Sequence, residues 1–115
     1  MINYYTEPHP AQIPEDLNVL LKGVETTTIG HNEHVGFLCS NIKPLFPAKI
    51  SGTAVTVAAP GRDGTIIYRV IDTLVEGDVL VISRIDGSDI ACVGGGVAKA
   101  AKAHGAAGII IDGPC

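Results

Sequence analysis

Gly94-Gly95-Gly96 stands directly before Val97 to His104, an alanine-rich stretch that closes at Gly105. Alanine favours helix, and a glycine just past the last turn stops one, so the pattern predicts a helix over 95–104 opened by glycines. A helix N-terminus presents unpaired N–H groups and the positive end of the dipole, which suits an anion. Glycines let that anion come close to the backbone. Three readings compete. The dinucleotide fingerprint G-x-G-x-x-G/A is met at Gly94 and Gly96 but has Lys99 at its last position, where a bulky side chain hinders helix–strand packing. A tight turn needs no ligand. The third reading is a site for a carboxylate or phosphate, and we take the triplet as half of a binding site.

Other residues offer chemistry with less support. His31 and His34 would share a face on a helix and could ligate a metal. No third ligand accompanies them, and Gly30 and Gly36 flank the pair, so solvated loop histidines are the plainer reading. Arg62-Asp63 could clamp a carboxylate bidentately; inside the turn cluster Pro60 to Gly64 the default is an exposed pair. Asp86, Asp89 and Asp112 fall at or near strand ends. Asp112 could serve a magnesium ion, although Asp-Gly-Pro is also an ordinary turn. His104, near a helix end, complements the dipole. Cys92 and Cys115 have no histidine nearby in sequence to activate a thiol.

The elements that must position these groups read as α/β. Residues 1–12 form an irregular arm, because Pro8 and Pro10 oppose helix. Pro14-Glu15-Asp16 starts a helix whose apolar stripe is Leu17, Leu20, Leu21 and Val24. Gly23 and Thr26-Thr27-Thr28 stop it near Lys22. Over residues 29–47, Ile29, Val35, Phe37 and Leu38 suit a short helix or turn, and Pro44 and Pro47 bracket Leu45-Phe46 as extended chain. A strand over 50–59, a helix over 65–75, a strand over 78–83, the helix over 95–104 and a strand over 107–112 follow. The apolar runs Val79 to Ile82 and Ile109 to Ile111 suit strands buried on both faces. If those two strands are parallel, their crossover is right-handed.

A chain of 115 residues can form one domain with its own core. With aromatics at 4% and no Trp, that core is aliphatic. A net charge of −4 without any basic run argues against nucleic-acid binding through phosphate neutralisation. The polar N-terminus has no apolar signal core, and no apolar run reaches the length of a membrane span. Three scattered cysteines, Cys39, Cys92 and Cys115, fit a reducing compartment, so a cytoplasmic protein is expected.

Pro44-Leu45-Phe46, Gly52 to Val57, Gly77 to Ile82 and Gly94 through Asp112-Gly113 together resemble the RraA-like proteins. That family holds the regulator of ribonuclease E activity A and the 4-hydroxy-4-methyl-2-oxoglutarate aldolases. The likeness runs from about Thr27 to Cys115, leaving 1–26 as an N-terminal arm and helix and 27–115 as the N-terminal portion of a single domain. It implies a swivelling β/β/α domain, assembled as a homotrimer or hexamer with the active site between neighbouring subunits. It implies a divalent metal, magnesium or manganese, that stabilises a pyruvate enolate as a Lewis acid.

The family's substrate-binding loop falls on Gly94, Gly95, Gly96 and Val97. Aldolases of the family usually carry Asp or Glu where this chain has Gly95. Their Arg-Asp pair, which binds substrate and metal, would follow Cys115; no metal ligand is then expected within the chain, and the sequence reads as incomplete at its C-terminus. Arg62-Asp63 lies in a different loop and is not that pair. The function expected by resemblance is a metal-dependent aldolase or oxaloacetate decarboxylase that yields pyruvate, the 115-residue piece alone being inactive. The alternative is a non-catalytic regulator that binds a protein such as ribonuclease E. Gly95 and the missing pair favour the regulator, and the glycine loop favours the enzyme.

Overall fold

The computed structural model describes residues 3–115. The elements are α1 (Glu15–Gly23), α2 (Thr26–Gly30), β1 (Thr53–Ala59), α3 (Thr65–Ile71), β2 (Asp78–Arg84), α4 (Gly95–Ala103) and β3 (Gly108–Ile111). The strands form one parallel sheet in the order β1-β2-β3. Its register sets Val55 beside Leu80 and Val57 beside Ile82, and Leu80 and Ile82 in turn beside Ile109 and Ile111.

These residues share one face, because alternate side chains of a strand point the same way. They pack with Ile66, Ile67 and Ile71 of α3, Leu74 beyond it, and Val97 and Ala101 of α4. Leu80, Ile67, Ile71 and Ile82 are fully buried. Each contributes about 1.5–3 kcal/mol by leaving water. Both crossover helices cover the same face; in β2 Val79 on the other face is nonetheless buried and Val81 half-buried, so the two-sided burial expected there is largely met, whereas β1 is open on that side. Val55 and Val57 are buried while Ala54, Thr56 and Ala58 are exposed, and β3 is half-buried throughout.

Boundaries moved for local reasons. The first strand begins at Thr53 rather than residue 50, since Gly52 passes against the chain beneath it. A Cβ at Gly52 would lie 2.0 Å from the Gly77 carbonyl oxygen. The helix expected over 65–75 ends at Ile71. Thr73 and Leu74 N–H donate to the Val70 and Ile71 carbonyls (2.9 and 3.1 Å), tightening the last turn. The Val75 N–H goes to the Asp78 carboxylate (2.8 Å) instead of a helical carbonyl.

The amino-terminal region departs furthest from expectation. Pro14 sits at the N-cap of α1, not inside it. The predicted stripe does not face the core: Leu17 and Leu20 are 43% and 65% exposed, and the buried residue of α1 is Asn18. Asn18 faces the domain because its Oδ1 accepts a hydrogen bond from the Ser51 hydroxyl (2.6 Å). The threonine run, read as a helix stop, itself folds as α2 after the break at Val24 and Glu25. Leu45-Phe46-Pro47 bends rather than running extended, and Leu45 and Phe46 are exposed. Among the described residues no helix is long and apolar enough to cross a membrane.

Candidate functional site

Three parallel strands put their carboxyl ends along one edge, the edge where open α/β sheets take ligands. Here that edge carries the 60–64 loop, the 85–94 loop and Asp112 to Cys115. The 85–94 loop leads into α4. Gly94 is the N-cap in an extended conformation (φ −135°, ψ −169°), and no side chain caps the helix. The first turn closes with the Ala98 N–H donating to the Gly94 carbonyl at 2.9 Å. The N–H groups of Gly95, Gly96 and Val97 precede that bond, so they are the ones a helix leaves for an external partner.

The glycines are not there for packing. A Cβ at Gly94 or Gly95 would meet nothing within 4 Å, and one at Gly96 only the Tyr68 hydroxyl, 3.9 Å away. All three are exposed. Val97 differs: its side chain is buried in the core and anchors the helix, leaving only its N–H for binding. Gly94 and Gly95 line a groove of about 1310 Å³ together with Pro44, Phe46, Ile110 and Asp112. A smaller hollow of about 300 Å³ between Asn18, Lys22, Glu76 and Gly105 contains none of the glycine triplet. The groove is the better candidate because it holds the uncapped start of α4.

Most acids at this edge are engaged by the scaffold. Asp112 Oδ1 accepts the Arg84 N–H (2.6 Å), and its Oδ2 accepts the Ser83 hydroxyl (3.2 Å). Asp86 accepts the Gly61 N–H (2.6 Å) and the Ser88 N–H (3.2 Å). The Ser88 N–H, with the Gly61 N–H and the Arg84 charge, holds the Asp86 carboxyl below its ordinary range against the effect of burial. Asp63 accepts the Thr65 N–H (2.9 Å) and the Tyr4 hydroxyl. Bonds from Thr65 and then Tyr4 lower its pKa, again against burial. Asp89 and Arg62 are exposed.

Arg84 carries no role in the sequence reading, yet it organises the edge. It is 5% exposed. One Nη donates to the Ile90 carbonyl, and the other to the Gly61 carbonyl (2.9 Å) and the Ser88 hydroxyl. The guanidinium thus ties the loop after β1 to the loop before α4. Its buried Nε has no hydrogen-bond partner. The available signal was parity: a strand continuing to 84 places Arg84 on the face of Leu80 and Ile82.

Neither histidine of the pair lines the groove. His31 caps the end of α2, and His34 follows in exposed chain. His104 caps α4, with Nδ1 2.9 Å from the Ala100 carbonyl. Cys39 and Cys115 are exposed and Cys92 is half-buried, all as free thiols. Among the described residues no three His, Cys, Asp or Glu side chains cluster as a metal-ligand set. Asp112, each of whose oxygens accepts one protein hydrogen, is a single carboxylate and not a ligand set by itself. The residues present therefore do not by themselves fit the metal that the resemblance implies.

A parallel sheet with crossover helices on one face and a glycine-opened helix at its carboxyl edge defines an α/β domain with a candidate anion site. The RraA-like family model, described as Aldolase/RraA, matches residues 25–115, and the chain belongs to that family. The observed α/β fold is compatible with an RraA-like domain. Neither a curated protein nor a solved structure matches the chain.

Proposed function

We propose that this RraA-like domain binds a small oxo acid, such as pyruvate or oxaloacetate, through its carboxylate at the N–H groups of Gly95, Gly96 and Val97. The activity we assign is that of a divalent-metal-dependent carbon–carbon lyase that cleaves 4-hydroxy-2-oxo acids to pyruvate or decarboxylates oxaloacetate. The supporting observation is the uncapped, open start of α4 at the carboxyl edge of the sheet. Such a helix end stabilises negative charge by its unpaired N–H groups and its dipole. Magnesium or manganese belongs to this reading as a Lewis acid, with ligands that residues 3–115 do not assemble. A cytoplasmic homotrimer or hexamer, with the glycine loop near a subunit boundary, completes the proposal.

The family also includes regulators. Gly95 favours that second reading, because open space there would admit an acid and the chain carries none. Two measurements separate the readings. Oxalate should bind by calorimetry, and pyruvate should be released from oxaloacetate by the full-length protein only with magnesium or manganese, EDTA abolishing release. Capture of ribonuclease E without oxalate binding would select the regulator.

A further inference from the structure

Residues 3–14, before α1, have no regular structure, yet side-chain bonds pin them at two places. Near the start of this arm, the Tyr4 hydroxyl donates to Asp63, and Arg69 lies 4.9 Å from the centre of the Tyr4 ring. Nearer α1, the arm meets Asp78, whose carboxylate is completely buried at the beginning of β2. Gln12 Nε2 donates to Asp78 Oδ1 (2.7 Å), and the Val75 N–H donates to Oδ2 (2.8 Å). His9 Nε2 also lies 2.7 Å from Oδ2. The other ring nitrogen, Nδ1, is 2.7 Å from the Pro10 carbonyl oxygen.

Both nitrogens of His9 therefore face acceptors. A neutral imidazole has one N–H, so one ring nitrogen would turn a lone pair toward an oxygen. With Nδ1–H given to Pro10, a proton must lie between Nε2 and Oδ2. Asp78 is the charged group that faces the ring, and the Pro10 carbonyl is its other polar neighbour. Asp78 is faced in turn by Gln12 and the Val75 N–H.

We propose that His9 and Asp78 form a pH-sensitive latch: the imidazolium, donating to both Asp78 and the Pro10 carbonyl, holds the arm closed on the domain, and loss of one proton removes the ion pair, leaves a ring lone pair facing an oxygen and loosens residues 3–9. The side chain of His9 is 25% exposed, so water can take the proton. The bond to Asp78, more than opposing desolvation, raises the pKa of His9, which puts the switch above the ordinary value of 6.5. Gln12 and the Ile13 N–H, which donates to Thr53 Oγ1 (2.9 Å), carry no charge and remain as the hinge. The loosened segment carries Tyr4, whose bond to Asp63 is a second pin, so full opening breaks that bond as well and uncovers Asp63 just before α3.

Nitrogen NMR and chymotrypsin cleavage after Tyr4 or Tyr5 test the latch in the full chain, with His9→Gln as the variant. His9 should titrate above 6.5, with both ring nitrogens protonated at about pH 6. Cleavage of the wild type, normalised to a free peptide of the arm sequence, should rise about tenfold between about pH 6 and about pH 8.5. In His9→Gln, which retains a neutral donor, the normalised rate should stay within about twofold. A His9 that titrates at or below 6.5, or wild-type cleavage that tracks His9→Gln at both pH values, would overturn the proposal.

Discussion

Arg84 and Gly61 are joined by a buried 2.9 Å hydrogen bond from Nη2 to the Gly61 carbonyl. The bond connects the carboxyl end of β2 to the loop that follows β1. The same guanidinium holds Ile90 and Ser88 in the loop that delivers Gly94. Lysine offers one ammonium where the arginine fork serves three acceptors. Arg84→Lys should lower stability by about 2 kcal/mol, measured by denaturant unfolding, because buried carbonyls lose their donors. It should also weaken oxalate binding. Unchanged affinity in a destabilised variant would show that the fork stabilises the fold without positioning the helix end.

Gly96→Val tests the anion site directly. A Cβ at Gly96 meets only the Tyr68 hydroxyl, so the fold has room for the change. The two γ-methyls would crowd the approach to the Gly96 and Val97 N–H groups. Oxalate affinity should fall about tenfold or more, a loss of about 1.4 kcal/mol, while the melting temperature moves little. Undiminished binding by calorimetry would place the anion on another loop.

Gly105 is a test of folding rather than binding. Its φ is +90°, and an added Cβ would lie 2.7 Å from Glu76 Cα. Gly105→Ala should therefore destabilise by about 2 kcal/mol or more, since the left-handed conformation and the backbone contact both resist a side chain. Thermal unfolding should drop by roughly ten degrees. A shift of a degree or less would mean that the turn after α4 relaxes freely.

The parts of this fold that were legible were those written in local pattern. Val79 to Ile82 and Ile109 to Ile111 mark their strands by apolar continuity, and Gly105 marks the end of α4. What the runs could not tell was coverage. Whether Ala54 and Ile110 meet a second layer depends on where both crossover helices lie, and a run of apolar residues carries no such information. Leu17 and Leu20 failed for a related reason: periodicity names a stripe, but Ser51 chose Asn18 as the docking residue. At the site, Gly94 to Gly96 were legible because glycine before helix is a local signal. Arg84 was not, since its acceptors at Gly61 and Ile90 come from two loops. His9 and Asp78 are separated by the whole β1–α3 unit, and only the fold brings them together.

The stability of the chain should peak in mildly acidic solution, with His9 setting the alkaline limb and Asp78 contributing, beside Asp63 and Asp86, to the acid one. Burial alone would raise the pKa of Asp78, but donors from the Val75 N–H, Gln12 and His9 outweigh it, so the folded value lies below the ordinary 3.8. The stabilisation from Asp78 is therefore present above 3.8 and is lost as pH falls through the lowered folded value. His9 moves the other way. Its stabilisation is fully present below 6.5 and is lost as pH rises through its raised folded value. Between 3.8 and 6.5 both contributions are in place. Urea midpoints measured across pH should fall on each side of that window. His9→Gln should flatten the alkaline limb and leave most of the acid limb, because the Val75 and Gln12 donors to Asp78 remain. An alkaline limb that persists unchanged in His9→Gln would assign the loss of stability to a group other than His9.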